Sequence, residues 1–263
     1  MPEAEGSDIP GLGLLCDAVP AYADRDDIQL YVKQAQASSD HVLELGCGTG
    51  RVLLPTARAG ISITGIERSD EMLDQCQRTL SREPADVPNL VALYKADVRQ
   101  FAIEGRFNLV TAPFRVMQLL ETVEDQLACL DSVRRHLHSG GRFVFDVFNP
   151  NFHLMAHDRT AEREDTAPVR MSDGRVMRRT FRVCKIHWID QISDVELIYY
   201  TGESADSLSE RHVQSLRMRW YGRDELIHLL GRAGFGVERI DGDFSSGTLE
   251  DESPEIVVTA VRT

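Results

Sequence analysis

Val42-Leu43-Glu44-Leu45-Gly46-Cys47-Gly48-Thr49-Gly50 decides how the rest of the chain is read. A short strand, His41 to Leu45, runs into three glycines in five positions, and a helical stretch follows from about Arg51 to Ala59. In a doubly wound sheet ligands bind where strands end, and glycines there let the backbone turn tightly and come close to the ligand. The N-terminus of the following helix offers free N–H groups to a carboxylate or phosphate. Glu44 argues between ligand classes. An acid inside the strand opposes an anionic pyrophosphate and suits a ligand that carries cationic groups. The dinucleotide fingerprint GxGxxG also fails on spacing, because position 51 is Arg and the third glycine falls at 50.

Outward from this loop, strands and helices alternate. SITGIE (Ser62 to Glu67) reads as a second strand. Ser69 is placed to cap a helix that runs to about Ser81 and has Met72 as its third residue. LVALYKAD (Leu90 to Asp97) and FNLVTA (Phe107 to Ala112) read as the third and fourth strands. Glu124 to Leu137 carries a helical apolar stripe, and RFVFDVF (Arg142 to Phe148) is the fifth strand, after Gly140-Gly141. Such alternation predicts right-handed crossovers and a parallel sheet covered on both faces. Before the loop, Asp24 to Gln36 fits a short helix, and residues 1–21 are weakly patterned, as expected of a mobile arm.

The run Glu44-Leu45-Gly46-Cys47-Gly48-Thr49-Gly50 resembles the first motif of class I S-adenosylmethionine (AdoMet)-dependent methyltransferases, E/D-x-GxGxG, at every defining position. The resemblance covers residues 41–149 well and 223–262 more loosely. It implies a seven-stranded, mostly parallel, doubly wound α/β sheet. AdoMet, with its ammonium and sulfonium, is the implied methyl donor. It further implies that Glu44, Gly46, Cys47, Gly48, Thr49 and Gly50 cradle the donor. Glu67, 21 residues after Gly46, takes the ribose hydroxyls, with Arg68 and Met72 nearby. Asp97 and Val98 meet the adenine, and Ala112 and Phe114 line the methionine end. The chain departs from the family at the turn before the fifth strand, which is often Pro-Gly-Gly and here is Ser139-Gly140-Gly141. It lacks the Asn/Asp-Pro-Pro-Tyr/Phe motif of amino-methylating nucleic-acid enzymes and the Pro-Cys motif of cytosine C5 enzymes.

The alternation breaks after Asn149-Pro150. From about Val176 to Trp220 long strands follow one another without helices, which predicts an antiparallel meander inserted after the fifth strand. The α/β pattern returns with a helix from Arg223 to Ala233 and strands near Val237 to Ile240 and Ile256 to Val261. The expected organisation is an arm and capping helix over 1–40, a Rossmann-like domain over 41–150 and 221–263, and the insert over 151–220. Insertion at this point resembles methyltransferases acting on glycine or amino sugars. There the added strands cover the acceptor site or form a dimer contact, so an acceptor lid, a homodimer interface, or both are expected.

Composition narrows the partners. The 263 residues are 42% hydrophobic and 27% charged, with a formal net charge of -13. Such a charge repels a phosphate backbone and sets the expectation against nucleic acid. The insert is neutral, with 11 basic and 11 acidic residues, so the remainder carries the whole excess. Five widely spaced cysteines without a CxxC predict neither a zinc site nor a disulfide framework, and no metal is expected. No apolar run is long enough to cross a membrane, so a cytoplasmic protein is expected.

Methyl transfer from a sulfonium is an in-line displacement, so the protein mainly aligns and desolvates, and a base is needed only if the acceptor must lose a proton. Tyr22 and Tyr31 are candidates to close over the site, Arg115 to hold an acceptor carboxylate, and His153 or His157 to act as base. Helix packing, a surface ion pair and solvated histidines are the competing readings of these residues. The expected function is methyl transfer to a small-molecule nitrogen or oxygen. The alternatives are a protein or RNA methyltransferase and a non-catalytic AdoMet-binding protein.

Overall fold

The computed structural model describes residues 9–38 and 40–263. In chain order the elements are α1 (Leu12–Asp17), α2 (Pro20–Ala23), α3 (Asp27–Ser38), β1 (Val42–Leu45), α4 (Leu53–Arg58), β2 (Ile63–Glu67) and α5 (Asp70–Leu80). They continue with β3 (Val91–Lys95), β4 (Phe107–Ala112), α6 (Val123–His136), β5 (Leu137–Phe148), α7 (Phe152–Met155), β6 (Arg163–Arg170) and β7 (Val176–His187). The chain closes with β8 (Ile192–Ser204), β9 (Ser207–Arg219), α8 (Arg223–Arg232), β10 (Phe235–Asp241) and β11 (Glu255–Arg262). These elements divide between two compact units, residues 26–151 with 220–263, and residues 1–25 with 152–219.

The larger unit is a seven-stranded sheet in the order β10-β11-β5-β4-β1-β2-β3. β1 pairs in parallel with both β2 and β4, and only β11 runs antiparallel to its neighbours. Strand order reverses between β1 and β4, which makes the end of β1 the switch point where a doubly wound sheet binds ligands. Every residue of β1 is buried, as expected of a strand covered on both faces. One apolar layer joins Leu43, Val110, Phe143 and Phe145 to α6 and α8. The other joins Val42, Leu53, Ile63 and Cys76 to α3, α4 and α5. Sequence signals fix several boundaries: the Ser69 hydroxyl accepts from Met72 N–H to cap α5, and Thr122 caps α6 through Asp125 N–H.

The smaller unit contains an antiparallel sheet, β6-β7-β8-β9. Its long hairpins pair over many residues, from Val176↔Gly202 to His187↔Ile192 and from Ile192↔Arg219 to Ser204↔Ser207. Residues expected to be a mobile arm instead form α1 and α2, with Leu12, Leu15 and Val19 buried. Residues 1–8 of that expected arm lie outside the described residues. The strand β6 has no counterpart among the sequence expectations.

Among the described residues, no helix is long and apolar enough to cross a membrane, and no group of three potential ligands could hold a metal ion. The five cysteines are free.

Candidate active site

Glu44 sits on β1 with 2% of its surface exposed, and its Oε2 accepts no hydrogen bond among the described residues. Burial pushes its carboxyl up to about 8, against the lowering pull of Arg51 and with a further push from Asp27. Arg51 cannot fully offset the charge of Glu44. Its guanidinium is engaged by Asp27 through two hydrogen bonds, of 2.7 and 2.6 Å. A buried acid with an orphaned oxygen asks for a cation.

Beyond Glu44 the backbone turns through left-handed conformations that L side chains rarely adopt. Gly46 has φ 62°, and a Cβ there would lie 2.7 Å from Val116 Cγ2, so only glycine lets the β4 turn pack on this loop. Gly48 has φ 55° with nothing within 4 Å of the Cβ position, which leaves its face open to a ligand. Cys47 points inward and is buried. Burial and neighbouring acids hold its thiol well above the ordinary range, so it packs rather than reacts. Thr49 is half-buried within the loop.

Glu67 ends β2 and joins this loop directly. Its Oε1 accepts from the Arg68 and Ser69 N–H groups at 2.8 and 2.9 Å, and its Oε2 accepts from Gly48 N–H at 3.2 Å. Besides presenting a carboxylate, it therefore ties the end of β2 to the glycine loop, a role its spacing alone did not reveal. Arg68 is exposed and Met72 half-buried. Asp97 follows β3 and is gripped by Arg99. Its carboxylate accepts from the Arg99 backbone N–H at 2.9 Å and from the guanidinium at 2.5 to 3.1 Å. The hydrogen bonds from Arg99 hold this carboxyl below the usual range. Beside it opens a cleft of about 500 Å³ lined by Asp97, Arg99, Gln100, Asp125, Ala128, Asp131 and Arg135. Val98 packs against the core, and none of the glycine loop lines this cleft.

At the end of β4, Ala112 is buried, and Phe114 and Arg115 have φ 59° and 68°. Consecutive left-handed residues other than glycine cost about 1–3 kcal/mol each and persist where their surroundings over-determine them, commonly at functional sites. The Phe114 N–H donates to Asp146 Oδ1 at 2.8 Å.

The acceptor-side candidates divide between the units. In the larger unit, Tyr31 is buried, and its hydroxyl donates to Asp146 Oδ1 at 2.6 Å instead of facing solvent. Arg115, expected to await a carboxylate, donates from Nη2 to Glu255 Oε1 at 2.7 Å and lies 5.6 Å from the Phe148 ring centroid. In the smaller unit, the Tyr22 hydroxyl accepts from Arg179 Nη1 at 2.5 Å, and burial raises its phenol above the ordinary value. Arg179 is itself held bidentately by Asp165. His153 is exposed and stands edge-on to His157 at 4.9 Å. The sequence reading passed over Asp27, Arg51 and Asp146. For Asp146 the available signal was an acid inside the apolar run RFVFDVF, at a position a buried strand would not spend on an unpartnered acid.

The residues present fit AdoMet. An orphaned buried carboxylate faces a cationic ligand's requirement, the Gly48 face is open, and Glu67 stands at the neighbouring strand end. Comparison with known proteins agrees. Residues 42–141 match the family model of a methyltransferase domain. The chain is 24% identical to the putative methyltransferase YqeM of Bacillus subtilis, over 96% of each chain. It resembles the structure of the CcbJ methyltransferase from Streptomyces caelestis, with a TM-score of 0.73 and 24% identity over 90% of this chain and 96% of that one. It also resembles CalS10 from Micromonospora echinaspora, an amino pentose methyltransferase solved with AdoMet bound, with a TM-score of 0.65 and 23% identity over 91% of each. Glycine loop, strand-end acids, strand order and these likenesses lead to one conclusion: residues 42–141 form a methyltransferase domain, within the fold of class I AdoMet-dependent methyltransferases.

Proposed function

We propose that this methyltransferase acts on a small molecule, at a nitrogen or an oxygen. The observation that carries the reading is the charge distribution: -13 overall, with a neutral segment 151–220. That charge disfavours a nucleic-acid acceptor, and the likeness to CalS10, named as an amino pentose methyltransferase, favours an amine. AdoMet supplies an activated methyl group on a sulfonium. Glu44 would hold its ammonium, Gly46 to Gly50 its methionine portion, Glu67 its ribose diol, and Asp97 with Val98 its adenine. The chain's own work is then to orient and desolvate the acceptor, with Phe114 and Arg115 at the β4 end as the residues nearest that task. Tyr22, Tyr31 and His153 are hydrogen-bonding or proton-accepting candidates whose use depends on the acceptor. The proposal extends to residues 152–219. Removing them should cost methyl transfer more than AdoMet binding, because the glycine loop, Glu67 and Asp97 lie outside the segment. A screen of amines, amino sugars, carboxylates and phenols with radiolabelled AdoMet tests the reading. Transfer to a small amine or hydroxyl is expected, and transfer only to protein or RNA would overturn it.

A further inference from the structure

Two lines of side-chain contact begin one turn apart on α3 and end on the same residue. Asp27 and Tyr31 are four residues apart, so they share a helix face, and both are buried. From Asp27 the line runs through the paired guanidinium of Arg51, whose central carbon lies 4.6 Å from the Phe114 ring centroid. From Tyr31 it runs through a 2.6 Å hydrogen bond to Asp146 Oδ1, and the same oxygen accepts the Phe114 N–H at 2.8 Å. Phe114 is thus held by its ring and by its backbone. It opens the left-handed pair Phe114–Arg115. The next residue, Val116, occupies the space over Gly46 that a Cβ would need. The strained turn therefore rests on the glycine loop, and α3 secures it.

We propose that Asp146 and Tyr31 are positioning residues of the methyl-transfer site: through the Phe114 N–H they hold the left-handed Phe114–Arg115 turn against the glycine loop, and so make the methionine end of the AdoMet site depend on helix α3. The inference rests on the reading of this loop as the AdoMet site. Neither residue needs to touch the donor. Asp146 is wholly buried on β5 and acts through the backbone of β4's exit, and Tyr31 acts through Asp146.

The test needs no acceptor. Residue-resolved amide exchange of the full-length protein is combined with calorimetry of S-adenosylhomocysteine on wild type, Tyr31→Phe, Asp146→Ala and the double variant. The expected result is at least tenfold faster exchange at Phe114 with the β1 amides of Val42 to Leu45 unchanged. S-adenosylhomocysteine should bind about five- to thirtyfold more weakly to each single variant, and the double variant should bind no more weakly than Asp146→Ala, since the two act in series. Unchanged exchange at Phe114, or exchange that rises equally in β1, overturns the proposal, as do unchanged affinities or losses that multiply. If Asp146→Ala does not fold, Tyr31→Phe, which removes one hydroxyl, decides by the exchange pattern and affinity. Wild-type protein that fails to bind S-adenosylhomocysteine contradicts the AdoMet reading instead, and exchange at Phe114 still decides whether Asp146 holds the turn.

Discussion

Glu44 is a buried acid that weakens the fold of the free protein, and we propose that it serves the ligand. Its carboxyl, normally near 4.5, is raised to about 8 by burial. A raised folded-state value means that the native protein holds this proton more tightly than the unfolded chain does. The associated stability is complete below the unfolded value and is lost as pH rises through about 8, at about 1.4 kcal/mol per pH unit over that span. Urea unfolding of the free protein at pH 5, 6.5 and 8 should therefore show wild type losing stability relative to Glu44→Gln. Parallel curves would mean that Glu44 does not titrate in this way. The same substitution should weaken AdoMet binding, because a neutral amide cannot answer an ammonium. Glu67 differs in kind: its oxygens accept three backbone N–H groups, one from the glycine loop itself. Glu67→Ala should weaken AdoMet by roughly 1.5–3 kcal/mol, the range for hydrogen bonds to a charged group, and leave the protein folded. Normal affinity by calorimetry would leave the carboxylate with the loop-holding role alone.

At the level of elements, α3 is fixed by a polar pair rather than by its apolar face alone. Asp27 is 0% exposed and Arg51 18%, so removing one charge strands the other in a dry environment. Asp27→Asn should cost about 3–5 kcal/mol in urea unfolding, and a loss below about 1 kcal/mol would show that Arg51 finds another partner. This dependence was not legible in the sequence, where Asp27 is one of several acids in Asp24-Arg25-Asp26-Asp27. Strands buried on both faces were legible, because β1, β2 and β4 are short, largely apolar runs that stop at Gly46, Glu67 and Pro113. β6 was not. REDTAPVR has no alternation, contains Pro168, and is mostly exposed, since it is an edge strand paired only with β7. α1 was hidden by Gly11 at its start, Gly13 inside it and its six-residue length. The glycine loop could be read because its constraints are local. The Tyr31–Asp146–Phe114 connection could not, because it joins residues 115 and 32 positions apart.

For the whole molecule, charge and ligand linkage give the broadest checks. With a net charge of -13 and no metal cluster among the described residues, retention on heparin at moderate salt should be negligible. A ligand that binds only the native state stabilises it by mass action, by about 2.7 kcal/mol at a hundredfold excess over Kd. AdoMet should raise the Tm accordingly, whereas NAD should not. The central claim is that a cation completes the buried site built around Glu44 and the glycine loop. Its most direct test is isothermal calorimetry of AdoMet at pH 7 in two buffers of different ionisation enthalpy, on wild type and Glu44→Gln, with NAD as the control. The expected result is AdoMet binding on the order of -8 kcal/mol, in the micromolar range, with net proton release that Glu44→Gln abolishes, and no NAD binding. NAD binding without AdoMet binding, or AdoMet binding that is equally tight and equally proton-neutral in both proteins, would contradict it.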